Sequence, residues 1–165
     1  HDNSEIVSFV KNAEPEIIGI DAPLSLPPGR KSLDDNNGVH LRECDKELTK
    51  LKIRFFPITL GPMRMLTLRG LELKKIFKRM GFDSYEMFPG ATQDVLGIPR
   101  KQHSMIGLFK GLEKLGIKGL KKVMNNDELD AVTCAYTAYL YQRGKAEILG
   151  SLKKGAIIIP KAPSR

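Results

Sequence analysis

The sequence predicts a single α/β domain with a central sheet, covering residues 1–165. Three observations carry that prediction. The runs EIIGI and DSYEMF have strand character, an isoleucine-rich GAIIIP lies near the end, and stretches of helical periodicity separate them. A chain of 165 residues is long enough to bury one hydrophobic core without a disulfide or metal staple.

In chain order, Asn3 or Ser4 caps a first helix that reaches residue 12, with Ile6, Val7, Phe9 and Val10 as its apolar side. It ends before Pro15. Ile17, Ile18 and Ile20 then form a β-branched run, as expected of a strand buried on both faces, and Asp21 falls at its carboxyl end. Residues 22–39 are rich in Pro, Gly, Asn and Asp and read as a long surface loop, a class more often functional or mobile than idle. LRECDKELTKL is helical, and an irregular stretch with Pro57, Gly61 and Pro62 follows. Leu73, Ile76, Phe77 and Met80 recur at helical spacing within a helix over residues 67–80, with Lys74, Lys75, Lys78 and Arg79 on its back.

Gly81 stops that helix, and FDSYEMFPG supplies a second strand with Phe82, Tyr85, Met87 and Phe88 as its apolar content. A weaker helical region covers residues 91–96. Residues 104–115 form another helix, with Ile106, Phe109, Leu112 and Leu115 inward, and a basic piece with Lys118, Lys121 and Lys122 follows it. The strongest helix covers residues 127–143, with Leu129, Val132, Tyr136, Tyr139 and Leu140 as its stripe, and Gly144 ends it. The helical spacing of Tyr136 and Tyr139 favours core packing over base stacking. GAIIIPK forms a terminal strand.

Composition narrows the partners. Lys and Arg number 27 against 19 Asp and Glu, a formal charge of +8, which suits a nucleic-acid partner, although lysines are also the ordinary covering of helix backs. Cys44 and Cys134 match neither a metal spacing nor a disulfide framework, so both are expected as small core residues in a reducing, cytoplasmic setting. No apolar run approaches the roughly 20 residues that span a bilayer, so no membrane partner is expected. His40 and His103 sit near loops and read as surface or satisfied histidines.

The acids offer two readings. Asp127 and Asp130 stand three apart at the start of the strongest helix and so share one face. With Asp127 as N-cap they resemble a capping box. Should that helix start meet the end of the first strand, they converge instead with Asp21, and crowded carboxylates call for a hard cation, Mg²⁺ or Mn²⁺. Spacing alone leaves both open.

Taken in order, IGIDAPLSLP, LRECDKEL, MLTLRGLELKKIFKRMG, YEMFPGATQDVLGIPRK, DELDAVTCAYTAYLYQRGKAEILG and GAIIIPK resemble the archaeal and bacterial family of predicted nucleases of the RNase H fold, domain of unknown function 429. The resemblance implies a ribonuclease H-like domain of the Holliday-junction-resolvase-like branch, a mixed central sheet flanked by helices. It implies a two-metal-ion nuclease acting on DNA or RNA, with Asp21, Asp127 and Asp130 as catalytic metal ligands and Glu86 as a further ligand. Arg42 and Asp45, of the Arg-x-Cys-Asp pattern, and Lys101 are the implied substrate contacts; an Arg and an Asp on one helix also read as a surface ion pair. The fold so implied begins with a three-strand meander whose first strand carries another acid, and those strands are expected to be missing from this chain. The alternatives are a nucleic-acid-binding or scaffolding domain without hydrolysis, and an enzyme acting on small phosphate esters through the same acids.

Overall fold

The computed structural model describes residues 2–162 as a mixed α/β chain. The elements are α1 (Asn3–Ala13), β1 (Ile18–Ile20), α2 (Glu43–Lys50), α3 (Gly61–Arg79), β2 (Ser84–Glu86), α4 (Pro89–Val95), α5 (Met105–Lys114), α6 (Asn126–Gln142), β3 (Ala146–Ser151) and β4 (Gly155–Pro160). Among the described residues no helix is long and apolar enough to cross a membrane.

The layering follows from the isoleucines of β4. Successive strand residues face opposite ways. Ile157 and Ile159 pack with Cys44 and Leu48 of α2, Ala91 of α4 and Leu149 of β3. Ile158 packs on the other face with Met87 and with Cys134, Ala138 and Leu140 of α6. Burial on both faces is why the strand reads as an unbroken apolar run. A third cluster joins Val10 of α1, Ile18 of β1 and Leu73 and Phe77 of α3. A fourth packs Leu108 and Leu112 of α5 on Leu129 of α6.

The expected single sheet is found in two pieces. β1 pairs parallel with β2, Gly19 opposite Tyr85, and β3 pairs antiparallel with β4, Ala146 opposite Pro160. One parallel bridge between Met87 and Ile158 joins them. Pro89, in the first turn of α4, explains the seam, because it ends β2 and starts a helix where further pairing with β4 would run.

Five elements differ from expectation, among them α5, where Ile106 is exposed rather than inward. β3 carries only Ile148 and Leu149 as large apolar residues among Glu147 and glycine, so it lacks a strand-like alternation in sequence. α3 begins six residues early, since Pro62 occupies its first turn, where the missing N–H is not needed. Asp2 caps α1 in place of Asn3 or Ser4, its Oδ1 accepting from Glu5 N at 2.9 Å, and Phe9 is exposed rather than inward. Tyr139 is also exposed, stacked on Tyr136 with Arg143 over its ring. The long loop contains no helix or strand but is tied down: Arg30 Nε donates to Val39 O at 2.6 Å, and Arg64 Nη1 donates to Leu33 O at 2.7 Å.

Arg42, at the start of α2, is the polar centre of the packing. Arg42, Asp45 and Glu86 are buried together. The guanidinium donates to Asp45 from Nε at 3.0 Å and Nη2 at 2.8 Å, and to Glu86 from Nη1 at 2.7 Å and Nη2 at 2.9 Å. Glu86 Oε2 also accepts from Leu24 N at 2.7 Å, and Arg42 Nη1 reaches Ser25 Oγ at 3.3 Å. Burial acts to lower the arginine's pKa, but Glu86 and Asp45 outweigh it and hold it above the ordinary value. α2, β2 and the segment after β1 therefore meet on one cation.

Removing one partner of such a group leaves uncompensated buried charge. Arg42→Ala is expected to lower the unfolding free energy by about 3–5 kcal/mol. Arg42→Lys should restore only part of it, because an ammonium cannot make two paired contacts at once. Urea denaturation of the three proteins checks this; a loss within about 0.5 kcal/mol for the alanine variant, the range of ordinary surface changes, contradicts it.

Candidate functional site

The site is built where the carboxyl end of β1 meets the amino end of α6. Gly19 allows the approach: a Cβ there would stand 2.6 Å from Met87 Sδ and 3.5 Å from the Cys134 carbonyl oxygen of α6. Asp21 lies two residues on and shares Gly19's face, turned to the same helix. On α6, Asp130 is one turn before Cys134 and Asp127 nearly one turn before that, so all three occupy one stripe.

The capping question has a definite answer. Asn125 is the N-cap of α6; its Oδ1 accepts from Asp127 N and Glu128 N, both at 2.9 Å, and Glu128 Oε2 accepts from Asn125 N at 2.7 Å. Asp127 is not the N-cap, and the box is closed by Glu128 rather than Asp130. Both aspartate side chains are thereby left to other partners.

Those partners are few and specific. Asp130 is buried, its Oδ2 2.6 Å from Lys101 Nζ and its Oδ1 accepting from Gln93 Nε2 at 3.0 Å. The exposed Asp127 has its Oδ1 3.5 Å from the same Lys101 Nζ. Asp21 is exposed in area yet has protein on most sides, lining a groove of about 670 Å³ with Asp127 and an apolar cavity of about 160 Å³ with Phe55, Phe56 and Met63. Desolvation, then repulsion from Asp130, push its carboxyl up to about 7, with Lys101 opposing and Asp127 and Glu86 adding to the rise. Lys101 is raised above the ordinary lysine value by its bond to Asp130.

The other sequence-selected residues lie elsewhere. Glu86 acts on Asp21 only at a distance, because both its oxygens are engaged by Arg42 and one also by Leu24 N. Arg42 and Asp45 form a buried pair rather than a surface one, with the guanidinium nitrogens directed into the protein. His40 Nδ1 lies 2.8 Å from Thr59 Oγ1, and His103 is exposed. Both cysteines are free and buried. Gln93, which fixes Asp130, escaped notice because a glutamine on a seven-residue helix has no periodicity to mark it as inward.

The donor chemistry of Asp21, Asp127 and Asp130 fits a hard divalent cation, and a cationic group already sits against two of them, the Lys101 ammonium. In this arrangement of side chains, no group of three or more His, Cys, Asp or Glu among the described residues is close enough to hold a metal ion. No protein-family model, curated protein or solved structure matches the chain.

Two outcomes test this geometry. Asn125→Ala should destabilise the protein by about 1 kcal/mol, the value of a lost N-cap, and Asp127→Ala by less than half of that, as thermal or urea unfolding will show. Equal losses would return Asp127 to a capping role. For Asp21 the sign is worked from its raised value: between its ordinary 3.8 and about 7 the native state binds more protons than the unfolded chain, so stability falls as pH rises through that window. Asp21→Asn, measured with a chelator present, should match the parent in melting temperature near the lower limit and exceed it increasingly toward the upper one. A gap independent of pH would contradict the crowding.

Proposed function

We propose that the protein is a metal-dependent phosphodiesterase of ribonuclease H-like architecture, acting on DNA or RNA with Mg²⁺ or Mn²⁺ at Asp21, Asp127 and Asp130. The observation that carries this reading is the approach of Asp21, just beyond β1, to both α6 aspartates, in surroundings that push the Asp21 carboxyl up to about 7. That position, beyond the carboxyl end of a strand in an α/β chain, is where such folds take ligands.

Divalent ions held by these carboxylates would activate a water and stabilise the leaving oxygen of an in-line displacement. The chain's own groups set the stage for it. Gln93 fixes the rotamer of Asp130, so one ligand is held rigidly on the helix. Asp127 is exposed and meets Lys101 at 3.5 Å, and Asp21 lines the groove from which a polymer would approach. Lys118, Lys121 and Lys122 are exposed in the segment leading into α6, so a phosphate backbone drawn to them, in a salt-dependent way, arrives beside the acids.

A second reading, a nucleic-acid-binding domain without hydrolysis, is favoured by one observation: both oxygens of Asp130 are engaged within the protein. Cleavage assays on the purified protein separate the two. Asp127→Asn and Asp130→Asn should each reduce Mg²⁺- or Mn²⁺-dependent cleavage of a labelled oligonucleotide to the protein-free level, with an unchanged circular dichroism spectrum. Unchanged turnover in either variant removes the metal assignment. Salt-sensitive binding without turnover under any divalent cation selects the second reading.

A further inference from the structure

The apolar cavity beside Asp21 has the dimensions of one flat ring system. Its volume is about 160 Å³, and Phe55, Phe56, Ile58, Met63, Leu66 and Phe88 supply its walls. An apolar cavity of roughly 150 Å³ stays dry and takes a benzene-sized ligand. Phe56 lines this one and is nevertheless 73% exposed, so it stands at the mouth with most of its ring in water.

The polar groups around the cavity select what enters. Arg42, Asp45 and Glu86 also line it, but every N–H of the guanidinium already donates to Asp45, Glu86 or Ser25. One cation faces two carboxylates there, so an anionic group would meet net negative charge and no free donor. The Asp21 carboxyl, the remaining charged group on the lining, makes no hydrogen bond or ion pair with another described residue, and so offers its acceptors to a ligand. The group that fits has a planar apolar body, no negative charge and N–H donors along one edge. A nucleobase with an exocyclic amino group has all three.

Outside the cavity the sign of the charge reverses. Arg54, next to Phe55, is exposed and has no ion pair among the described residues. Arg100 lies over the Phe88 ring at 5.4 Å, and its Nη1 donates to Arg54 O at 3.1 Å. Cations therefore flank the phenylalanines where the phosphates attached to a seated base would stand. An aromatic side chain of a protein partner would fill the same walls but has no use for that flanking charge.

We propose that the cavity beside Asp21 holds one unpaired nucleobase, stacked on Phe56 with its amino edge toward the Asp21 carboxyl, so that the protein's nucleic-acid ligand is single-stranded. This rests on the nucleic-acid part of the reading given above and needs no metal ion. In a duplex the amino edge is engaged by the opposite base and the ring faces are covered by neighbours, whereas a single strand can splay one base outward. Asp21 and Leu66 line both the cavity and the larger groove, so a seated base draws its strand alongside the acids.

Binding in chelator, where no metal-dependent cleavage consumes the strand, is read by fluorescence anisotropy. The probes are a labelled single-stranded deoxyadenylate decamer, its duplex with deoxythymidylate, and a decamer of tetrahydrofuran abasic analogues. The parent should bind the adenylate strand about tenfold more tightly than the duplex or the abasic strand, within the range of one base–aromatic stack. Phe56→Ala should remove that advantage and leave binding of the abasic strand unaffected, and Phe56→Trp should restore it. Arg54→Ala should weaken the adenylate and abasic strands alike and lower the salt dependence by about one phosphate contact. Equal binding of adenylate and abasic strands, or no loss with Phe56→Ala, overturns the base site while leaving backbone binding standing. Displacement of the strand by N-acetyltryptophanamide but not by adenosine assigns the cavity to a protein side chain and overturns it too. Absence of binding to any of the three probes overturns the proposal together with the reading it rests on.

Discussion

One buried guanidinium fixes the geometry on which the rest of the molecule turns. Arg42 receives Asp45 from its own helix, Glu86 from β2 and Ser25 from the segment after β1, and through Glu86 it holds Leu24 N as well. Leu24 is three residues beyond Asp21. The chain on the far side of the candidate acid is thus anchored to the same cation that joins α2 to β2, while Gly19 on the near side is pressed against Met87. Asp21 projects from a backbone restrained on both sides, as a candidate site joining a residue just beyond a strand to two helix residues requires.

The protein keeps two populations of acids apart by giving each its own kind of cation. Glu86 and Asp45 are matched with arginine, whose rigid planar fork makes paired contacts and cannot lose its charge, and the group is closed to water. Asp130 and Asp127 are matched with lysine, a single point charge reached from solvent. One group is sealed in the core and the other is partly open to solvent. The difference also explains why Glu86, next to Met87 and close enough to influence Asp21, takes no part in the crevice.

How far this was legible in the sequence depends on what each residue's signal measures. Burial on both faces writes itself as consecutive isoleucines, so Ile157, Ile158 and Ile159 announced β4, and the apolar spacing of Leu73, Phe77 and Met80 announced most of α3. β3 left no such mark because its backbone pairing with β4, rather than its own side chains, makes it a strand. The α6 acids were visible as a pair at helical spacing, but which residue caps the helix was decided by Asn125 and Glu128, two positions earlier. Arg42 and Asp45 looked like surface charges three apart. Only tertiary packing, through Glu86 44 residues away, buries them.

The distribution of charge reconciles an acidic crevice with a basic chain. At long range the formal +8 would attract a polyanion, with Lys118, Lys121 and Lys122 exposed on the approach to α6. At short range it meets carboxylates, which repel phosphate unless something intervenes. The Lys101 ammonium lies against Asp130 and Asp127 and neutralises one charge among three aspartates. The remaining excess is expressed in Asp21, whose carboxyl is pushed up to about 7 because burial and then Asp130 make its ionised form unfavourable. A divalent ion would relieve that excess where a monovalent ammonium does not, so the repulsion among these acids is what favours the metal-binding reading proposed above.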